Sequence, residues 1–482
     1  MISGVVKGRS ILREVLIAVV IGMAAFTVFA LSALQFQELE SSRNGRGYVS
    51  DEVWYVGSAR ILLVKVFGLE PRMASGSYGY TVIYEGNLDL ELLKDTAAAY
   101  GLELRSDYSK LKAFYVYGDR ENVLRFMSEI QGSVKVVDAI PGWMLPDNEG
   151  INRYLNLEHP PLGKYLIALS IYALGDEPFT WRIPLILAGS LTVVLVYLSV
   201  RKLSGSTLIA LTSAVLLVAE PLSRVMFSLA LLDGFVAFTS MLSFYLAVHG
   251  RYKGALLAGI LGGLFKLSGL FSLIPLALIY LRQWARRNPS TLFLAYNLLA
   301  LAFTALVLYL ALLTLISLPL ISYLGTVRWI RDSLLNPLKW HTSVKCMGAG
   351  CPVSSSPWDW FLGANAFPVY LNPDVYAEGF TPFWSTVFIS ILVFAPLAFR
   401  DKKHGLLWLY LLGSWSGYVL LWLAGGRTQY SFYSIQLAPF VYMYLVYTVT
   451  YVVNKANISY LISLYRLAES RLKGVVIRVL TS

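Results

Sequence analysis

The chain has 482 residues, of which 56% are hydrophobic and 14% charged, with a mean hydropathy of +0.59 and a net charge of +11. Long apolar runs at that composition exclude a soluble globular profile and predict a polytopic α-helical membrane protein. The lysines and arginines gather in short loops between apolar runs, so the positive charge reports membrane topology and argues against nucleic acid as a partner.

Lys7, Arg9 and Arg13 lead into an apolar run over about residues 11–36. The run is long for a cleaved leader and reads as a retained signal-anchor helix with its basic end inside. Beyond it, on the outer side, comes Ser50-Asp51-Glu52-Val53-Trp54. A carboxylate pair suits a general base or a divalent cation, which is left open as a cofactor. Acids at a helix start are also ordinary N-terminal residues.

From 75 to 142 the pattern changes to alternation. Residues 80–84 read as a strand, 89–100 as a helix, 102–105 and 111–117 as strands, 120–130 as a helix and 134–137 as a closing strand. That β-α-β-β-α-β order predicts a small α+β, ferredoxin-like extracytoplasmic insert.

Glu158-His159-Pro160-Pro161-Leu162-Gly163-Lys164 ends the polar segment and opens an apolar helix. Two prolines fix the backbone on entry, and Lys164 sits one turn in, where an anion or lipid headgroup suits it. The apolar run to 174 is only about 20 Å long as a helix against a hydrocarbon core of about 30 Å, so it reads as an interfacial or re-entrant segment. Further spans are predicted over 183–200, 208–219, 225–248, 255–265, 267–281, 292–318, 383–399, 406–424 and 432–453, about ten to eleven membrane helices in all. The tail after 454 reads as a basic amphipathic helix on the inner surface. The chain thus divides into 1–74, the insert 75–142, a first membrane part 143–318, an external loop 319–381 and a last membrane part 382–482. The external loop is rich in tryptophan, proline and glycine and reads as a lid over a lipid-facing cavity. Cys346 and Cys351 within it are spaced for a short-loop disulfide if the loop is outside, and two thiols alone make a weak metal site.

The polar outliers carry the chemistry. Asp233 lies inside an apolar span, where ionisable residues are costly and usually functional or paired. Lys266, Arg182 and Arg427 fall at outer ends of spans, where each alone reads as a headgroup contact. Together with Lys164 they place four cations at one leaflet surface, against the topological bias. Such a set suits a lipid-borne phosphate. An acid beside it would deprotonate a hydroxyl attacking a carbon joined to that phosphate, which is group transfer from a lipid carrier to an external acceptor. Spacing leaves the transferred group open.

These motifs resemble the protein O-mannosyltransferase family of the GT-C glycosyltransferases. The resemblance rests on Asp51-Glu52, on His159 to Lys164, on Trp181-Arg182-Ile183-Pro184, on Leu231-Leu232-Asp233 and on Lys266 to Phe271. Trp340-His341, Pro357-Trp358-Asp359-Trp360 and Arg427 to Tyr433 complete the set. The chain departs from the family in having Ser228 where an arginine is usual, and in lacking a large β-trefoil in the second outer loop. The resemblance implies an inverting transferase that moves mannose from a polyprenyl- or dolichyl-phosphate donor to Ser/Thr hydroxyls at the external face of the cell membrane. It implies Asp51 as base with Glu52 assisting, and His159, Lys164, Arg182, Lys266 and Arg427 on the donor or its phosphate. Asp233, His341, Trp358 and Trp360 fall to the acceptor side or to structure. The implied partners are the lipid-linked sugar, an acceptor protein or glycolipid, membrane lipids and a protein docking on the insert. The rival readings are a GT-C enzyme moving another sugar to a glycolipid or glycan, and a non-enzymatic receptor or transporter.

Overall fold

The computed structural model describes residues 2–74, 76–344, 346 and 350–481. Among the described residues, five helices are long and apolar enough to cross a membrane: Leu12–Ser42, Pro178–Ser204, Leu267–Arg287, Thr291–Ile316 and Lys402–Leu423. Leu162–Ala173, Thr207–Ala219, Leu232–Val248, Thr381–Val393 and Ala438–Val452 are shorter apolar helices. The chain is an integral membrane protein, and its apolar exterior (Leu292, Phe303, Leu392 and Phe399 are all exposed) is the face such a protein turns to lipid.

Several predicted spans are broken, each for a visible reason. The run 225–248 is not one helix. Pro221–Met226 ends, the backbone unwinds, and Leu232–Val248 begins. The Ala230 N–H in the gap donates to the Glu52 carboxylate at 2.7 Å instead of to a helical carbonyl. The run 267–281 starts as a 3₁₀ turn, Leu267–Ser272. There Gly269 crosses Gly262 so closely that a Cβ would lie 2.1 Å from the Gly262 carbonyl carbon. The run 383–399 breaks at Phe394, and Pro396, which has no N–H to give, opens Ala395–Arg400. The last predicted span likewise opens with a 3₁₀ turn, Ser431–Gln436, before Ala438–Val452. The tail forms one helix, Lys455–Thr481.

The α/β unit has strands β1 (Ser77–Glu85), β2 (Glu103–Arg105), β3 (Ala113–Asp119) and β4 (Lys135–Pro141), with helices Leu90–Ala99 and Arg120–Ile130. The β-α-β-β-α-β order read from alternation is present, in an antiparallel sheet of order β2-β3-β1-β4. Asp89 and Asp119 cap the two helices by accepting from the second and third backbone N–H groups. Val82, Phe114 and Val116 from the sheet pack on Leu93, Val123, Phe126 and Ile130 from the helices. A polar seam fastens the unit to the body: Lys65 Nζ donates to Asp138 at 2.5 Å, Asn152 donates to the same oxygen at 2.8 Å, and the Leu145 N–H donates to Thr81 at 3.0 Å.

Asp147 closes the seam by accepting from the N–H groups of Ser109, Lys110 and Leu111 and from the Ser109 hydroxyl. Burial raises its carboxyl, but these bonds outweigh that and hold it down to about 2, below the ordinary 3.8. A depressed carboxylate stabilises the fold above its unfolded pKa and loses that contribution as pH falls through the folded value. Amide exchange at 109–111 is therefore expected to accelerate, relative to the rest of the sheet, as pH drops from about 4 to about 2. Asp147→Asn should remove that dependence.

The second outer segment consists of short helices (Leu318–Leu324, Thr326–Ile330, Asn336–His341 and Asp359–Leu362) and a hairpin of β5 (Phe367–Tyr370) and β6 (Val375–Ala377). Cys346 and Cys351 form a disulfide, with Cα atoms 5.7 Å apart.

Candidate functional site

The acid pair at the start of helix Glu52–Ile61 divides into two unlike residues. Consecutive helical positions point about 100° apart, so one of the pair faces the protein interior and the other faces away. Glu52 is the inward one, at 0% exposure. Its Oε1 accepts from Arg182 Nε at 2.8 Å and from the Ala230 N–H, and its Oε2 accepts from Arg182 Nη2 at 2.7 Å and from the Val49 N–H at 2.9 Å. Arg182, also at 0%, spends its other donors on the Ala33 and Gly47 carbonyls. The two form a clamp joining the first helix, the 47–50 loop and the unwound 227–231 segment.

Asp51 is half-buried at the helix start and makes no side-chain capping bond. The preceding Ser50 has φ +54, a left-handed turn that brings the chain sharply onto the helix. Tyr55, one turn on, marks what surrounds Asp51. Its phenol is held well above the ordinary range, first by burial and then by the charges of Asp51, Asp233 and Glu158, with Tyr433 beside them. Asp51, Glu158 and Asp233, at least 75 residues apart in sequence, thus all lie close enough to Tyr55 for their charges to act on it.

The loop before helix Leu162–Ala173 is shaped by Lys164. That side chain is 1% exposed and turns back, donating to the carbonyls of Leu155 at 3.3 Å, Asn156 and His159 at 2.8 Å, and to Asn156 Oδ1. It is an internal strut whose ammonium is surrounded by carbonyl oxygens. The strut presents His159, whose ring lies 5.8 Å from Tyr55 and 5.5 Å from His341. His341 Nε2 comes within 3.4 Å of the Glu158 carbonyl. Tyr154, Asn156 and Glu158 form a further set that the sequence reading passed over: the Tyr154 hydroxyl donates to Glu158, and Asn156 Nδ2 donates to both at 2.9 Å.

Lys266 is also paired. It donates to both oxygens of Asp233 at 2.8 and 2.9 Å and lies over the Tyr433 ring at 3.9 Å. The pair is almost wholly buried. Of the four cations, Arg427 alone is exposed. Its guanidinium lies over Trp422 at 5.1 Å, and Trp422 meets Trp358 edge-on at 4.9 Å. The loop carrying it packs on the His341 helix so tightly that a Cβ at Gly426 would lie 2.4 Å from the His341 carbonyl. Trp360 belongs to the core, donating to Ser355 at 2.8 Å and packing on Tyr418, so it does not line an acceptor path.

Arg60 and Asp176 form a second buried clamp that the sequence reading missed. Asp176 accepts from Arg60 twice at 2.6 Å, from Trp181 Nε1 and from the Trp143 N–H, while Arg60 also donates to Tyr48. An arginine in the last turn of helix Glu52–Ile61, directly before the apolar run Ile61-Leu62-Leu63-Val64, was the available signal. Among the described residues, no group of three or more His, Cys, Asp or Glu side chains is placed to hold a metal ion.

Residues 158–311 match the family model described as dolichyl-phosphate-mannose-protein mannosyltransferase. Over these residues, about a third of its length, the chain is similar to that family. Its relatives include the polyprenol-phosphate-mannose–protein mannosyltransferases of Mycobacterium tuberculosis, 37% identical over 130 residues, and of Corynebacterium glutamicum, 34% identical over 104 residues. The first match spans 25% of this chain and 25% of the relative, the second 21% and 20%. The matched family segment holds His159, Lys164, Arg182, Asp233 and Lys266, while Asp51, His341 and Arg427 lie outside it. Among solved structures, ArnT from Cupriavidus metallidurans bound to undecaprenyl phosphate superposes with a TM-score of 0.48 at 12% identity, over 90% of this chain and 60% of that one. The apo form of the same enzyme superposes with a TM-score of 0.39.

Proposed function

We propose that this chain is an inverting GT-C glycosyltransferase that moves mannose from a polyprenyl- or dolichyl-phosphate donor to Ser/Thr hydroxyls of proteins on the external face of the cell membrane. The observation that supports the reading is the division of the acid pair: Glu52 is bound by Arg182 in the interior, while Asp51 lies half-buried at the helix start, where its charge acts on Tyr55, whose ring neighbours His159. The relatives' names supply mannose and the polyprenyl phosphate as substrate classes.

In this reading Asp51 takes the proton of an acceptor hydroxyl as its oxygen attacks the anomeric carbon. The bond from that carbon to the phosphate oxygen breaks, and the electron pair leaves with the polyprenyl phosphate. Attack opposite the leaving phosphate inverts the anomeric centre. His159 and His341, facing each other across the rim, and the exposed Arg427 meet the phosphate side. Trp358 borders the same edge, and the α/β unit is read as a ferredoxin-like insert that recruits an acceptor or a partner.

The decisive experiment supplies the purified membrane protein with a panel of polyprenyl-phosphate sugars and a Ser/Thr-rich peptide, and weighs the product. Mannosyl peptide supports the reading. Transfer of another sugar, or transfer to lipid alone, sinks it. Arg427→Ala is expected to raise the donor KM about tenfold with kcat nearly unchanged, since a charge-assisted hydrogen bond contributes about 1.5–3 kcal/mol. An unchanged KM would remove Arg427 from the phosphate site.

A further inference from the structure

A cavity of about 490 Å³ opens between the 153–158 loop and the outer helices Thr326–Ile330 and Asn336–His341. Its wall carries Tyr154, Asn156, Glu158, Arg328, Asn336 and Trp340. We propose that this cavity holds the glycosyl group of the donor, and that Glu158, Asn336 and Trp340 determine which hexose is accepted. The proposal deepens the glycosyl-transfer reading and rests on it.

Three observations point to a sugar. The first is the chemistry of the lining. Two carboxylates (Glu158 and Asp332), two amides and two arginines (Arg153 and Arg328) provide acceptors and donors within one small space, and the exposed Trp340 provides a flat apolar face. A hexose has both features, hydroxyls around its edge and C–H groups on its faces. The second is connection to the reacting centre. Tyr154 lines the cavity, and its phenol is raised first by burial, then by Glu158, and also by the charge of Asp51. The Trp54 ring, three residues beyond Asp51, meets Tyr154 edge-on at 5.4 Å. The third is placement. The wall helices expose Val327 and Leu338, and the helical stretches flanking them expose Leu318, Tyr323 and Leu335, as segments lying in a membrane interface do. A lipid-borne sugar enters from that interface, whereas an acceptor polypeptide arrives from water, so the observations favour the donor.

The bonding within the wall identifies which residues read hydroxyls. Asn156 is drawn into the Lys164 strut and the Tyr154–Glu158 contact, which makes it a positioning residue. Asn336 is exposed and its amide donates to Asp332 at 3.1 Å, so its carbonyl oxygen remains for a substrate hydroxyl. An equatorial and an axial hydroxyl point to different wall atoms, and losing a buried polar partner penalises one epimer more than the other.

The test uses the full-length protein in detergent with polyprenyl phosphates carrying mannose or its epimer glucose, and one peptide acceptor. Asn336→Ala and Trp340→Ala lie on an exposed helix, and neither side chain holds the core. Each is expected to raise the donor KM about tenfold and to reduce the wild-type preference between the two hexoses at least fivefold, with kcat at saturating donor kept within about twofold. Glu158→Gln should act in the same direction. Donor binding followed by quenching of tryptophan emission in the Asn336→Ala variant gives the same ratio without turnover. If the variants keep the wild-type hexose preference in both assays, the cavity does not read the sugar, while wild-type transfer still stands. A wild-type protein that transfers neither hexose overturns the transferase reading and this proposal with it.

Discussion

Asp51→Asn is expected to lower the rate of glycosyl transfer by about 10²–10⁴-fold, the range a positioned general base contributes. Donor binding and thermal stability should stay close to wild type. The asymmetry follows from the surroundings of Asp51. The side chain makes no capping bond to the helix it begins, and the backbone bonds from Trp54 and Tyr55 go to its main-chain carbonyl. Asn has the same shape, keeps those backbone bonds and loses only the ability to take a proton. A variant that transfers at the wild-type rate would show that some other group is the base. A variant that fails to bind donor would show that Asp51 acts on the ground state instead.

Arg182→Leu is expected to destabilise the protein by about 3–5 kcal/mol, because it strands the Glu52 charge in the interior. Exchanging both members of a buried ion pair for apolar residues is often neutral, but not expected to be so here. The pair also satisfies the Val49 and Ala230 N–H groups and the Ala33 and Gly47 carbonyls. Each orphaned backbone group costs about 1–3 kcal/mol. Glu52→Leu combined with Arg182→Leu should therefore remain clearly less stable than wild type, as read by thermal unfolding in detergent. Recovery of wild-type stability in the double variant would mean that the clamp is an ion pair and nothing more. In the single variant, activity falls through loss of folded protein, so its residual specific activity per folded molecule should exceed that of Asp51→Asn.

The two clamps show how charge is used in this protein. Arg182–Glu52 and Arg60–Asp176 are both fully buried and bidentate, and both tie the outer end of the membrane body to the loops above it. Lys266–Asp233 repeats the pattern at the pocket wall. Membrane burial makes an unpaired charge expensive, so most of the polar outliers found each other before any substrate could use them. In the proposed reading the substrate meets a smaller set: Asp51, His159, His341, Arg427 and the Glu158 cavity.

The amino-acid sequence by itself determined the class of the protein, because apolar runs of membrane length allow no other solvent. It also determined the α/β unit element by element, since alternation and the Asp89 and Asp119 caps are local signals that tertiary contacts reinforced. The convergence of Asp51, Asp233 and Glu158 was legible only as a shared leaflet side. The tertiary structure alone decided which charges are partners of one another. A sequence shows that Glu52 and Arg182 are ionisable, while their pairing depends on a 130-residue closure that no local pattern encodes. It likewise decided where helices break, because the Ala230 N–H leaves its own helix for a carboxylate far away in the chain. Pairing and unwinding are both set by long-range burial, where an unsatisfied polar group costs more than the helical geometry it gives up.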